Sequence, residues 1–272
     1  MSTRWEATDI IGCFAEYNNN IKFKATNITA NEFSSLVTKD PSEFYFYFPY
    51  NSEAKMANGV LKSELATTQL LRAGAYAPTI PLVAYTTSLD DVSFSNLCGV
   101  LSFNVRSNID RILTSFSFES NDGSPVAGEY TVDMNQKVPT LSLGSQTSSK
   151  VTLEGNVPLT AETDYRFYIF LPPTVHAKGF TITLGDAKDR TFEQVFTKKL
   201  TVKRSVMTNV SSVLYFESPL ETTELELVSM TSTSPSATFV VDQETLTARA
   251  SLNGFTNPQS SKIVLNYNAT FA

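Results

Sequence analysis

Apolar and polar residues alternate with period two along most of the chain. Leu101, Phe103 and Val105 share one face of a run whose other face carries Ser102 and Asn104. Ile112, Thr114, Phe116 and Phe118 repeat the pattern and lead into the turn-forming sequence Asn121-Asp122-Gly123-Ser124-Pro125. Val151 with Leu153, then Tyr165, Phe167, Ile169 and Leu171 up to Pro172-Pro173, continue it. Phe180, Ile182 and Leu184 follow, ending at Gly185-Asp186. Successive side chains of a strand point to opposite faces, so each run predicts a strand with one buried face. Many short runs bounded by Gly, Pro, Asn and Asp predict antiparallel sheets packed as sandwiches.

Helix has little support. Residues 53–72 contain helix formers but also Gly59, without sustained 3.6-residue spacing, and are read as loop and short strand. Residues 190–196 fit a single helical turn. The run Phe44-Tyr45-Phe46-Tyr47-Phe48-Pro49-Tyr50 is aromatic on both faces. It predicts a central strand covered on both sides and closed by Pro49, with an aromatic sugar-binding platform as the alternative.

Boundaries follow from breaks in the pattern. The regular strands begin after residues 95–99, and Ser218-Pro219 with a run of Thr and Glu interrupts them again. The expected division is an N-terminal sandwich over 1–96, a second over 97–216, and a strand extension over 217–272. The extension holds a predicted hairpin through Asp242-Gln243-Glu244-Thr245 and a last strand. One face of that strand reads Ile263, Leu265, Tyr267, Ala269, Phe271, and the other is largely polar. Burying its four large side chains contributes about 6–12 kcal/mol before ordering costs. The strand either completes its own sandwich or adds to the sheet of a neighbouring subunit.

Composition narrows the function more than the fold. The 11% aromatic content rests on 19 Phe and 11 Tyr, residue types that suit pleated, half-buried surfaces. A net charge of −6 offers no basic footprint, so nucleic acid is not an expected partner. Lys198, Lys199, Lys203 and Arg204 are read as the solvent face of an alternating strand. Cys13 and Cys98 are read as two separate buried thiols. No run of about 18 apolar residues predicts a membrane-spanning helix. The sequence Met1-Ser2-Thr3-Arg4-Trp5 is no signal peptide, so an exported chain is expected to have lost its leader.

Chemistry-bearing patterns are scarce. His176 is the only histidine, follows Pro172-Pro173-Thr174-Val175, and is read as a loop residue without a nucleophile motif nearby. No H-E-x-x-H, C-x-x-C or calcium-loop spacing occurs, and Asp90-Asp91 reads as a solvated turn. Carboxylates that meet only in space would leave no sequence signature. The sequons at Asn27, Asn209 and Asn268 matter only in a eukaryotic secretory pathway. No cofactor is expected, and the chain is read as a non-enzyme.

Several segments, taken in order, resemble the fimbrillin family of Bacteroidales, the subunits of type V pili. Thr3-Arg4-Trp5 with Asp9-Ile10-Ile11-Gly12-Cys13-Phe14 resembles the family's "TxW…GDxIGxF" element, with Thr8 where glycine is usual. Residues 44–50 resemble its "YxAYYPY" strand, and Leu97-Cys98-Gly99-Val100-Leu101-Ser102-Phe103 the opening of its second sandwich. Residues 112–120 resemble "ItsItlks", and Ala127-Gly128-Glu129-Tyr130 the following "laGxy". Residues 165–173 resemble "yyixvlPxt", with Phe180-Thr181-Ile182-Thr183-Leu184 after it. The likeness spans residues 3–216; residues 217–272 match only as strand pattern.

The resemblance implies an all-β chain of two tandem Greek-key or transthyretin-like β-sandwich domains with a C-terminal β-hairpin or strand extension. It implies export as a lipoprotein to the cell surface and outer membrane, and proteolytic removal of an N-terminal strand, with Arg4 as the processing candidate. The partners implied are other fimbrial subunits joined by strand exchange, with a host or bacterial surface ligand beyond them. The donor candidate is Ile263, Leu265, Tyr267 and Phe271. The alternative is a surface glycan- or protein-binding module, favoured if Tyr17, Tyr76 or Tyr85 is exposed.

Overall fold

The computed structural model describes residues 5–217 except 17, 38, 40, 76–78 and 91, and the strand backbones alone of 222–232, 237–242, 247–252 and 263–271. Every regular element among the described residues is a strand. The first nine are β1 (Ile10–Ala15), β2 (Asn18–Asn27), β3 (Glu32–Ser34), β4 (Phe44–Phe48), β5 (Lys55–Ala57), β6 (Val60–Leu65), β7 (Thr68–Leu70), β8 (Leu82–Thr86) and β9 (Ser95–Asn96). The next six are β10 (Gly99–Ser107), β11 (Arg111–Ser120), β12 (Ala127–Asp133), β13 (Leu141–Ser148), β14 (Lys150–Leu159) and β15 (Tyr165–Leu171). Then come β16 (Val175–His176), β17 (Phe180–Asp186), β18 (Thr191–Phe196), β19 (Leu200–Thr201) and β20 (Met207–Phe216). The last four are β21 (Thr222–Ser232), β22 (Ala237–Asp242), β23 (Thr247–Leu252) and β24 (Ile263–Phe271).

Residues up to Glu217 form one compact unit and residues from Ser218 a second. The first unit holds two sandwiches with separate cores. One pairs a six-stranded sheet, β3-β2-β1-β4-β8-β9, with a four-stranded sheet, β13-β12-β6-β5. Aromatic β4 lies between β1 and β8, and Phe44, Phe46, Tyr47 and Phe48 are all buried. Gly12 faces Tyr47 across the strand pair, and a Cβ there would overlap the tyrosine ring. Leu61, Leu65, Tyr130, Val132 and Met134 of the four-stranded sheet join the same core.

The second sandwich pairs a five-stranded sheet, β18-β17-β11-β14-β7, with a three-stranded sheet, β15-β10-β20. Its core is aromatic and aliphatic, with Phe103, Phe116, Phe118, Phe167 and Phe216 fully buried. The division expected between residues 96 and 97 is crossed in both directions. Strand β7 pairs in parallel with β14, and Leu71 enters the second core. Strand β12 pairs with β6 and carries Ala127, Tyr130 and Val132 into the first. Alternation fixes that a strand has an apolar face but not which sandwich receives it.

Two local expectations are corrected. Residues 191–196 form β18 rather than a helical turn, because Phe192 and Phe196 lie opposite Leu184 and Phe180 of β17. A four-residue spacing satisfies both helical and strand periods, so only the partner strand decides. The basic residues Lys198, Lys199, Lys203 and Arg204 fall in the connections around two-residue β19, not on one face of a strand.

At one end of the second sandwich Arg111 and Asp186 form an ion pair at 3.2 Å, with side chains 0% and 1% exposed. Arg111 also donates to Ser107 Oγ at 2.6 Å and to the Phe216 carbonyl at 3.0 Å, with its guanidinium 3.7 Å from the centre of the Phe216 ring. Burial would raise the Asp186 carboxyl, but backbone N–H groups of Arg190 and Lys188 and the Arg190 guanidinium hold it below the ordinary carboxylate range. Burial and neighbouring Arg190 lower the Arg111 pKa. A buried, fully bonded pair is weak as a net stabiliser but costly to break.

The other end is closed by β16 and β19, and there His176, expected in a loop, lies on a strand and is buried. Its Nδ1 lies 2.8 Å from Ser120 Oγ, which itself donates to Asp122 Oδ1 at 2.8 Å, so Nδ1 carries the proton. Nε2 has no hydrogen-bond partner, and the ring meets Phe118 edge-on at 5.3 Å. Burial lowers the His176 pKa, against a smaller opposing effect of Asp122.

Two tests follow from these ends. Asp186→Ala strands a buried guanidinium and is expected to cost about 3–5 kcal/mol in denaturant unfolding; a loss below about 1 kcal/mol would contradict the pairing. The unfolded chain takes up the His176 proton near pH 6.5, before the folded chain does, so stability should be full above that pH and fall as the pH drops below it. With no other histidine present, His176→Asn should remove the part of this slope that begins just below about pH 6.5. An unchanged slope would contradict the buried neutral ring.

Candidate functional site

The two sheets of the second sandwich differ in width, five strands against three. Strand β10 is flanked by β15 and β20, so the three-stranded sheet has two edges. The β15 edge is closed by the chain itself. Gln69 Nε2 donates to the Phe170 carbonyl at 2.8 Å, and its Oε1 accepts from the Phe170 N–H at 3.3 Å. Farther along, the Gly74 N–H donates to the Arg166 carbonyl at 2.7 Å. The side-chain amide and the connector thus occupy backbone groups that a further strand would use.

The β20 edge is engaged at its ends, at Met207 and where Arg111 holds the Phe216 carbonyl, but between them it pairs with no further strand among the described residues. It is ten residues long, the longest edge strand of the first unit, and runs parallel to β10. The opposite sheet reaches one strand farther through β18, where Phe192 and Phe196 are half-buried and pack on the core. Phe192 lies 5.9 Å from Phe216 and Phe196 lies 4.6 Å from Phe180, ring centre to ring centre. The place beside the middle of β20 and above β18 therefore combines a sheet edge without a further strand with a partly covered aromatic floor. Val213 is exposed on β20, and Val206 is exposed just before it. The register slips between Asn209 and Val213, which span two more residues than the matching stretch of β10. Such a bulge hid the strand's alternation in the sequence, and the interruption Asn209-Val210-Ser211-Ser212 is its only trace.

The donor candidate lies in the second unit. Ile263, Leu265, Tyr267 and Phe271 are on β24, which pairs antiparallel with β21 from Ser232↔Ile263 to Thr222↔Phe271. Strands β22 and β23 form a separate hairpin, with Asp242 opposite Thr247. Each pair is a two-stranded ribbon, an arrangement that is marginal in water unless another layer covers it.

Other sequence candidates are distributed widely. Arg4, Tyr17, Tyr76 and Asp91 lie outside the described residues. Tyr85 is 43% exposed. Asp90 lines a hollow of about 590 Å³ beside the six-stranded sheet, together with Trp5, Ile11, Phe23, Phe46 and Phe94. Trp5 closes on Phe33, Phe48 and Phe94 in edge contacts of 5.1–5.4 Å. Cys13 and Cys98 are free and buried, and burial pushes the Cys13 thiol up to about 12 and raises Cys98 as well. Neither is poised as a nucleophile. Among the described residues no three His, Cys, Asp or Glu side chains come together to hold a metal ion.

No protein-family model matches the chain, and no curated protein matches it significantly. The chain is similar to several solved structures. A crystal structure of a candidate cell adhesion protein from Bacteroides ovatus is 14% identical, with 79% of this chain and 84% of that chain covered and a TM-score of 0.48. One from Bacteroides uniformis is 16% identical over 76% and 88%, with a TM-score of 0.45. A third, from Bacteroides fragilis, is 11% identical over 95% and 93%, with a TM-score of 0.32. All three scores fall below one half, so the geometry of the edges stands by itself.

Proposed function

We propose that this chain is a non-enzymatic structural subunit of the cell surface, supporting adhesion and joined to other subunits in a fimbria by β-strand addition. The observation that carries the reading is the open β20 edge beside the half-buried Phe192 and Phe196. A sheet edge with unpaired N–H and C=O groups is a template for another chain, and alternate side chains of the incoming strand seat in the groove below. Strand β24 suits that role. Its nine residues match the ten of β20, and its alternation places Ile263, Leu265, Tyr267 and Phe271 on one side in sequence. In the assembled form β24 leaves β21 and pairs with β20 of the next subunit. Trimming near Arg4 prepares the exported chain, in the manner of the family its sequence resembles. The names of the three Bacteroides structures are of the same kind and reach only as far as cell adhesion.

The full chain should form regular rods after limited trypsin treatment, as read by light scattering and electron microscopy, and deleting residues 262–272 should abolish them. The circular dichroism of the remaining sandwiches should not change. Rods that persist without β24, or a truncated chain that no longer folds, would remove the strand from the donor role.

A further inference from the structure

A second surface of the first sandwich has a chemistry that strand addition does not use. Tyr45 of β4 and Tyr85 of β8 are direct cross-strand partners, with ring centres 5.0 Å apart and planes inclined by 39°. Tyr85 is exposed while Tyr45 is half-buried and packed on the core, so Tyr85 presents the aromatic surface to solvent and Tyr45 braces it from behind. Both hydroxyls are tethered to one carboxylate. Tyr85 donates to Glu43 Oε1 at 3.0 Å and Tyr45 donates to Glu43 Oε2 at 3.3 Å. The single Tyr45 proton is shared with Asn135 Oδ1, also at 3.3 Å, and Asn135 Nδ2 donates to the Asn58 carbonyl at 3.0 Å. Loss of ring mobility, a main cost of binding to an exposed aromatic, has therefore been met before a ligand arrives.

We propose that Tyr45, Tyr85 and Glu43 form a platform for a neutral hexopyranose of a surface glycan. The ring C–H face of a pyranose is apolar and flat enough to lie on the exposed Tyr85 ring, while its hydroxyls need acceptors at the rim. An ionised carboxylate offers about four acceptor positions, of which the two phenols use two. Glu43 therefore has capacity left for sugar hydroxyls and opposes an acidic sugar. Cations would also favour tyrosine and carboxylate, but a cation cage needs ring faces opposed across a gap. Ring centres 5.0 Å apart leave no such gap. Phenols are neutral near pH 7, and the hydrogen bond to Glu43 raises Tyr85 further while burial followed by Glu43 raises Tyr45.

Saturation-transfer NMR on the full chain tests the platform, with methyl β-D-galactopyranoside and methyl β-D-glucopyranoside as probes and N-acetylneuraminic acid and tetramethylammonium as comparators. Irradiating aromatic protons should label the C–H protons of at least one hexoside. Tyr85→Ala should reduce the signal at least fivefold, and Tyr85→Phe should keep most of it. Glu43→Ala, at an exposed position, should reduce it as well and guards against a folding defect in Tyr85→Ala. No transfer to either hexoside, an undiminished signal in both alanine variants, or equal binding of the acidic sugar would overturn the proposal. Binding of tetramethylammonium alone would overturn it in favour of a cation site. Rod formation by Tyr85→Ala should match the parent chain, so this result and the assembly result can fail independently.

Discussion

Strand β10 has to serve two cores at once, and most of the architecture of the first unit follows from that. Val100 belongs to the first core, while Leu101, Phe103 and Val105 belong to the second. Its neighbour β15 divides in the same way, with Phe170 in the first core and Phe167, Ile169 and Leu171 in the second. Although β10 alternates apolar and polar residues in sequence, six of its first seven residues are buried, Ser102 among them, as in a strand covered on both faces. The two sandwiches are therefore fused through shared strands rather than joined by a linker. That fusion also explains why β7 and β12 cross the midpoint of the unit in opposite directions.

The same constraint sets the width of the three-stranded sheet. Its β15 side faces the returning chain, where Gln69 and Gly74 bond its edge. Its β20 side faces away and leaves β18 without a strand above it. Proteins commonly blunt exposed edges with bulges, and the slip between Asn209 and Val213 is such a device. A bulged edge resists indiscriminate pairing while a strand of matching register can still add. The half-buried Phe192 and Phe196 supply the apolar reason for it to do so.

Much of the fold was legible in the sequence. The alternation of Leu101, Phe103 and Val105 and of Phe180, Ile182 and Leu184 gave strands whose apolar faces are buried, and aromatic β4 is central. What the sequence withheld is what depends on partners in space. Phe192 and Phe196 read equally as helix or strand until β17 lies beside them. His176 follows two prolines and reads as loop, yet pairing with Leu200 and contact with Phe118 bury it completely. The β20 edge was hidden by its bulge. Tyr85 stood out as an exposed aromatic candidate, but Tyr45 and Glu43 join it only through the β4–β8 register.

The most direct measurement of the account is amide hydrogen exchange over residues 207–216 in the monomer and in assembled rods. The outward N–H groups of an open edge exchange quickly, whereas a strand added beside them slows exchange. Strand addition at β20 requires protection of residues 207–216 to rise on assembly, while β17 and β11 stay unchanged. Rods in which residues 207–216 exchange as fast as in the monomer would show that subunits join elsewhere.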